Sequence, residues 1–355
     1  MFALLAALAA LAAQAEAPPK IWPTREGDVV FKDFRFADGE RLPELKIHYT
    51  TLGAPHRDAK GEVDNAVMIL HGTGGTGQQF LRAQFADELY GTGQPLDIRK
   101  YWIILPDNIG HGKSTKPSDG LRMKFPKYDY ADMVEAQHRL LTEGLGIRHM
   151  RLIMGTSMGC MHSFMWGEAY PDFSSALMPL ACQPIEIAGL NRMWRQMLID
   201  GIEKDPAWNG GNYSKQPVQG LRTAESILFI AGAAPLNLQE HYPTREGATA
   251  YVRERVENGI AEIDANDTIY QFDSSRTYNP WPALEKIRVP LTWVNSADDF
   301  INPRNFDVPS RAVKRMRTAR FRLIPESAET HGHGTHSWAA FWKKDLSDLL
   351  ARSEN

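Results

Sequence analysis

Residues 150–170 constrain the fold of this chain more than any other stretch. An apolar run, Met150-Arg151-Leu152-Ile153-Met154, passes without a loop into Gly155-Thr156-Ser157-Met158-Gly159, and a helical pattern follows until just before Pro171. A strand that becomes a helix this abruptly must bend sharply. The central residue of such a bend is held in a strained backbone that only small neighbours permit. Gly155 and Gly159 supply the room. The bend lifts the Ser157 hydroxyl to the top of a sheet and sets it at the start of a helix, beside free N–H groups and the positive end of the helix dipole. Ser157 is therefore the candidate nucleophile; the plainer alternative is an ordinary tight turn.

The surroundings repeat the same rhythm. Short apolar runs at 66–70, 101–105, 150–154, 176–181, 291–295 and 321–324 alternate with helical patterns, one of them at 132–145. Strand–helix alternation predicts right-handed crossovers and a parallel sheet buried on both faces. Two further strands, 29–36 and 45–51, precede it and meet at an Asp38-Gly39 turn. The rhythm stops at 183–282, where long helical patterns predict an insertion over the carboxyl ends of the strands, the edge at which open α/β sheets bind ligands.

A nucleophilic serine needs a base, and the base needs an orienting acid. Past the run at 291–295 come Asp298 and Asp299, both placed to reach the sheet's functional edge. Asp299, four residues before Pro303, is the preferred acid, with Asp298 left a solvated or capping role. After the last strand, Glu329-Thr330-His331-Gly332-His333-Gly334-Thr335-His336 offers three histidines in one loop. The flanking glycines favour His333 as base, with His336 next and His331 at the surface. No carboxylate stands at metal-ligand spacing, so no metal is expected there. His71-Gly72-Thr73-Gly74-Gly75 follows the run at 66–70 and lets the backbone approach a substrate. With Met158, Thr73 supplies the expected oxyanion-hole amides. The glycine loop lacks the Gly-Lys-Ser/Thr ending of a phosphate-binding loop. His111, in a tight turn after the next strand, is read as structural.

Composition narrows the remainder. The 355 residues are 43% hydrophobic and 23% charged, which fits one α/β domain with an insertion or two domains. A net charge of −3 argues against nucleic acid as partner, and basic stretches such as 311–322 are read as solvated faces. Cys160 and Cys182 are too few for a disulfide scaffold and lie in apolar stretches. They are read as small buried hydrophobes, a single bridge being the alternative. Residues 2–13 are Ala, Leu and Phe, followed by Gln14-Ala15-Glu16-Ala17. This resembles a secretory signal peptide, too short to span a bilayer; a frayed apolar helix is the other reading. Export to the periplasm or medium is expected, with cleavage near Ala15 or Ala17.

The His71 loop, Asp107-Asn108-Ile109-Gly110-His111-Gly112-Lys113-Ser114, the Ser157 turn, the Asp299 loop and His333 resemble the α/β-hydrolase superfamily. Within it, the chain resembles the homoserine O-acetyltransferases and their hydrolase relatives. The matching stretches include Leu96-Asp97-Ile98-Arg99-Lys100-Tyr101-Trp102, Asp132-Met133-Val134-Glu135-Ala136-Gln137 and Asp205-Pro206-Ala207-Trp208-Asn209-Gly210-Gly211. The resemblance implies an α/β-hydrolase fold, with a mostly parallel sheet flanked by helices and a helical lid inserted before the acid-bearing strand. The corresponding segments are a signal peptide at 1–17, core at 18–182 and 283–355, and the lid at 183–282. It implies Ser157, His333 and Asp299 as catalytic groups, no cofactor, and a small ester or acyl substrate. Stable membrane insertion is not expected, and a homodimer is left open. At the serine turn Thr156 and Cys160 replace two glycines usual in the transferases. The transferases also place an arginine before Asp-Pro-x-Trp-x-Gly-Gly to recognise an amino-acid substrate. Aligned without a gap, that position is Asp200, and Arg195 substitutes only with a local shift. A carboxylate there would repel another carboxylate, so hydrolysis of an ester, with an amide the other option, is expected over acyl transfer, with transfer the alternative and a non-catalytic binding module less favoured.

Overall fold

The computed structural model describes residues 20–354, so the expected signal peptide over 1–17 lies outside the described residues. Eight strands form one sheet in the order β1-β2-β4-β3-β5-β6-β7-β8. They are β1 (Thr24–Arg35), β2 (Arg41–Leu52), β3 (Ala66–Leu70), β4 (Trp102–Pro106), β5 (Leu152–Thr156), β6 (Leu177–Leu180), β7 (Leu291–Ser296) and β8 (Ala319–Ile324). β1, β2 and β4 pair antiparallel, and the pairs from β4 through β8 are parallel. The sequence placed all eight to within a few residues. The parallel strands β3, β5, β6 and β7 are buried at every position, as expected where helices cover both faces.

The crossover helices are α1 (Ala83–Leu89), α2 (Tyr130–Arg139) and α3 (Met158–Ala169). α2 begins earlier than the apolar spacing implied because Asp129 caps it, accepting from the Ala131 and Asp132 amides while Asp132 accepts from the Asp129 amide. Between β6 and β7 run α4 (Gly189–Glu203), α5 (Val218–Gly232), α6 (Pro235–His241), α7 (Arg245–Ala261) and α8 (Ala265–Asp273); α9 (Val308–Arg315) and α10 (Lys343–Arg352) complete the chain. The inserted helices have their own apolar centre, built on Leu198, Ile202, Leu221, Ala224 and Phe272. α8 fastens them to the loops after β4. Asp267 accepts from the Ser118 amide and hydroxyl at 2.8 and 2.6 Å, and Gln271 donates to the Gly110 carbonyl at 2.8 Å.

The cysteines correct the sequence reading. Cys160, in the first turn of α3, and Cys182, just past β6, are joined by a disulfide. Twenty-two residues of separation gave no hint of contact. The parallel pairing of β5 with β6 brings them together, since it sets the end of β6 beside the helix that follows β5.

Candidate active site

Ser157 begins α3 with φ 53° and ψ −108°, a conformation costly for any residue with a side chain. Its neighbours leave no alternative. A Cβ on Gly155 would collide with the Gly159 carbonyl, and one on Gly159 with the Leu70 carbonyl. The turn aims the hydroxyl at His333, whose Nε2 accepts it at 2.8 Å. His333 Nδ1–H donates to Asp299 Oδ2 at 2.9 Å. The Asp299 side chain is fully buried. Burial pushes its carboxyl up, but His333 and the donors of Asn302 outweigh this and hold it below the usual carboxylate range. It also accepts from the Ile301 and Asn302 amides and from Asn302 Nδ2, at 2.8, 3.1 and 2.9 Å. Asn302 was not singled out in the sequence; its place three residues past Asp299, in an Asx-type turn, was the available signal.

The neighbouring side chains divide as their partners dictate. Asp298 turns away from His333 Nδ1 and fastens the histidine loop, accepting from the Thr330 hydroxyl at 2.8 Å, the Gly332 amide at 3.0 Å and the Ser296 hydroxyl. His331 is not free at the surface as expected; it is half-buried and stacks on Trp338. Burial pushes His336 down to about 3, so it stays neutral beside His333. Among the described residues no three His, Cys, Asp or Glu side chains gather to hold a metal ion.

Opposite the histidine, the Thr73 and Met158 amides donate to no acceptor among the described residues. A Cβ added to Gly72 would stand 3.3 Å from that of Ser157, so the glycine loop lies against the nucleophile. His71 locks this loop. Its Nδ1–H donates to the Gly72 carbonyl at 2.8 Å, its Nε2 accepts from the Asn108 amide at 3.0 Å, and its carbonyl accepts from the Gly159 amide at 3.0 Å. Burial lowers the basicity of His71, as it does that of the neighbouring His111, which keeps both neutral. His111 donates to the Ile109 carbonyl and is enclosed, in keeping with a structural role.

The substrate-side expectation is corrected. Asp200 does not face the serine; it lies on the outer side of α4, hydrogen-bonded to Gln196 at 2.7 Å and Lys204 at 3.2 Å. Arg195 takes the inner side. Five residues turn a helix by about 140°, so the two cannot share a face. Arg195 is 2% exposed and lines a cavity of about 40 Å³ with Ser157, His333 and Cys182. It lies against Trp194 and Phe272, donates to Asn191 at 2.9 Å and Ser275 at 3.4 Å, and has no carboxylate partner among the described residues. Burial lowers its pKa, with Tyr130 opposing. The buried hydroxyls of Thr73 and Tyr130, close by, also lack a well-aligned partner.

These features agree with the comparisons. A family model described as alpha/beta hydrolase fold matches residues 65–318, and the chain belongs to that family. Its likeness is to the homoserine O-acetyltransferase-like branch. A probable acyltransferase of Methanothermobacter thermautotrophicus is 29% identical over 282 residues, covering 78% of this chain and 84% of that one. A homoserine O-acetyltransferase of Chlorobium chlorochromatii is 30% identical over 250 residues, covering 64% and 67%. The crystal structure of an acetylester hydrolase from Corynebacterium glutamicum superposes with a TM-score of 0.80 at 22% identity, covering 92% of this chain and 96% of that one.

Proposed function

We propose that this chain is a serine hydrolase that cleaves short-chain carboxylic esters bearing an anionic group, through an acyl-enzyme on Ser157. The observation that carries the reading is His333 held between the Ser157 hydroxyl and the Asp299 carboxylate, opposite two unengaged amides. Ser157 Oγ attacks the ester carbonyl carbon as its proton passes to His333 Nε2. The oxyanion is held by the Thr73 and Met158 N–H groups. The C–O bond to the alcohol breaks, and the alcohol leaves with the proton from His333. Water then attacks the acyl-enzyme, giving its proton to His333, and the acid departs as the proton returns to Ser157. Asp299 keeps the imidazole in the required tautomer throughout.

Two features bear on the substrate. The cavity beside Ser157, about 40 Å³, has room for on the order of three water-sized groups, which suits an acetyl-sized acyl chain. Arg195 is a buried cation without a counter-charge, and a substrate carboxylate would supply one through two parallel hydrogen bonds. That observation also favours the second reading, an O-acyltransferase whose acceptor alcohol carries a carboxylate, and it removes the electrostatic objection that Asp200 raised. Hydrolysis is preferred together with export, which the disulfide supports, since such bridges persist in oxidising compartments. No helix among the described residues is long and apolar enough to cross a membrane.

Product partitioning tests the choice. An activated acetyl ester should yield acetate with or without millimolar homoserine, and Ser157→Ala should abolish the reaction. Efficient formation of O-acetylhomoserine would establish transfer instead.

A further inference from the structure

The disulfide is placed where it can act on catalysis. Hydrogen bonds lead from Ser157 to His333 at 2.8 Å, from His333 to Asp299 at 2.9 Å, and from Asp299 Oδ2 to Asn302 Nδ2 at 2.9 Å. The same Asn302 Nδ2 donates to the Ala181 carbonyl at 3.1 Å. Cys182 comes next in the chain, and its bridge to Cys160 returns to the first turn of α3, three residues past Ser157. Nucleophile, base, acid and Asn302 thus form a closed ring, and the disulfide is a covalent cross-link that closes it from the Ala181 side to the nucleophile side.

The backbone at the join is under tension. Ala181 has φ +66°, a left-handed conformation that a residue with a Cβ rarely adopts. Its neighbours restrain it from several directions. Its amide donates to the Val294 carbonyl at 2.9 Å, while the Cys182 carbonyl accepts from Trp293 Nε1 at 3.0 Å and Asn295 Nδ2 at 3.1 Å. Cys182 also walls the cavity beside Ser157 and Arg195. The bridge ties this strained segment to α3, and the carbonyl that aligns Asn302 belongs to the residue before Cys182.

We propose that the Cys160–Cys182 disulfide is a positioning element of the active site, which through Ala181 and Asn302 fixes the acid and base relative to Ser157, so that the enzyme works at full rate only when oxidised. The inference rests on the acyl-enzyme reading. In the reduced form two electrons from a dithiol enter the S–S bond, each sulfur takes a proton, and the dithiol closes to its own disulfide. Neither cysteine touches the reacting atoms.

The experiment is a double-mutant cycle. Wild type, Cys160→Ala/Cys182→Ala, Asn302→Ala and the triple variant are compared in hydrolysis of an activated acetyl ester, with circular dichroism confirming each fold. Loss of alignment near 1 Å costs on the order of 100-fold in rate, so the cysteine pair variant should lose about 10- to 100-fold in kcat with KM within about twofold. Asn302→Ala should lose a similar amount, and the triple variant little more, because both act on one linkage. A fall in thermal stability with kcat unchanged would overturn the inference, as would losses that multiply in the triple variant. A cysteine pair variant that does not fold would overturn it as well, making the bridge a requirement of the fold instead. Fluorophosphonate labelling separates the two levels. If wild type is labelled and the folded pair variant is labelled as fast, the positioning role fails alone; if wild type is not labelled, the acyl-enzyme reading fails and takes this inference with it.

Discussion

Ser157, Asp299 and His333 stand on loops that leave β5, β7 and β8, whereas Arg195 projects from the middle of α4 in the helical insertion. The sheet-edge groups are held by bonds among the strand-end loops themselves. The Asp299 carboxylate accepts two amides, the histidine loop is fastened by Asp298 to the Gly332 amide, and the Ser157 turn is closed by glycines that no other residue could replace. The insertion is joined to the loops after β4 by Asp267 on the Ser118 amide and Gln271 on the Gly110 carbonyl, and Arg195 bonds Asn191 and Ser275 inside the insertion itself. α4 also leaves Leu190, Met193 and Met197 exposed, while β3, β5, β6 and β7 are buried at every position. On the proposed reading, the chemistry rests on strand ends and selectivity on a helical layer that can vary independently.

The largest test of this division lies at the sheet edge. Ser157→Ala and His333→Ala should each lower kcat by about 10⁴-fold or more with the fold intact, because each removes a member of one cooperating unit. Asp299→Asn should approach that loss, while Asp298→Asn, which retains an acceptor oxygen for the Gly332 amide, should cost much less. Steady-state kinetics on folded variants check all four, and near-wild-type turnover by Ser157→Ala would break the comparison at its centre.

The insertion should respond differently. Arg195→Ala should raise KM for a carboxylate-bearing ester by about 10- to 100-fold, the value of a charged hydrogen-bonded contact of about 1.5–3 kcal/mol, and leave a neutral ester of equal size nearly unaffected. Equal loss on both esters would mean that Arg195 serves packing over Trp194 and Phe272, and the distinction between chemistry and selectivity would fall.

A smaller effect concerns protons. Three histidines lie within six residues of the chain, yet only one should appear in the acid limb of kcat/KM. His336 is pushed down to about 3 by burial and Asp299 is held below the usual carboxylate range, so these two keep their charge state as pH falls from neutrality, and burial lowers His331 as well. His333 must be neutral to take the Ser157 proton, so activity should fall as pH drops, about tenfold per pH unit, the slope of one proton. A slope of two would show that a second group of the loop changes charge in the same range.

What could be read from the sequence follows the same line. The strands and the Ser157, Asp299 and His333 loops were legible because each depends on local chemistry: an apolar run, a glycine that permits a bend, a carboxylate just past a strand. The disulfide and the bond from Asn302 to the Ala181 carbonyl were not, since they depend on which strands become neighbours across the sheet, whereas the turn that sets Asn302 on Asp299 is local. The places of Thr73 and Met158, one on the loop after β3 and one at the start of α3, follow from the same local pattern. The grouping of Tyr130, Thr73 and Ser275 around Arg195 was not legible, because three distant segments meet there and no periodicity records it.

Arg195 and Asp200 show most plainly where reading by position stops, and Asp200 gives the smallest predicted effect. An ungapped comparison put Asp200 at the substrate, where its charge would have repelled a carboxylate. The helix sends it outward instead, about 140° around the axis from Arg195, to an exposed pair with Lys204 and a hydrogen bond with Gln196. Those contacts and no others hold its carboxyl below the usual range. An exposed pair four residues apart on a helix contributes about 0.3–0.5 kcal/mol. Asp200→Ala should therefore change kcat and KM by less than about twofold and lower stability by no more than that pair is worth. It should also leave any preference for a charged over a neutral ester as it was, because on the proposed reading that preference belongs to Arg195. Measured with the two esters used for Arg195→Ala, a change in that preference would return Asp200 to the substrate and require α4 to be rotated in the working enzyme.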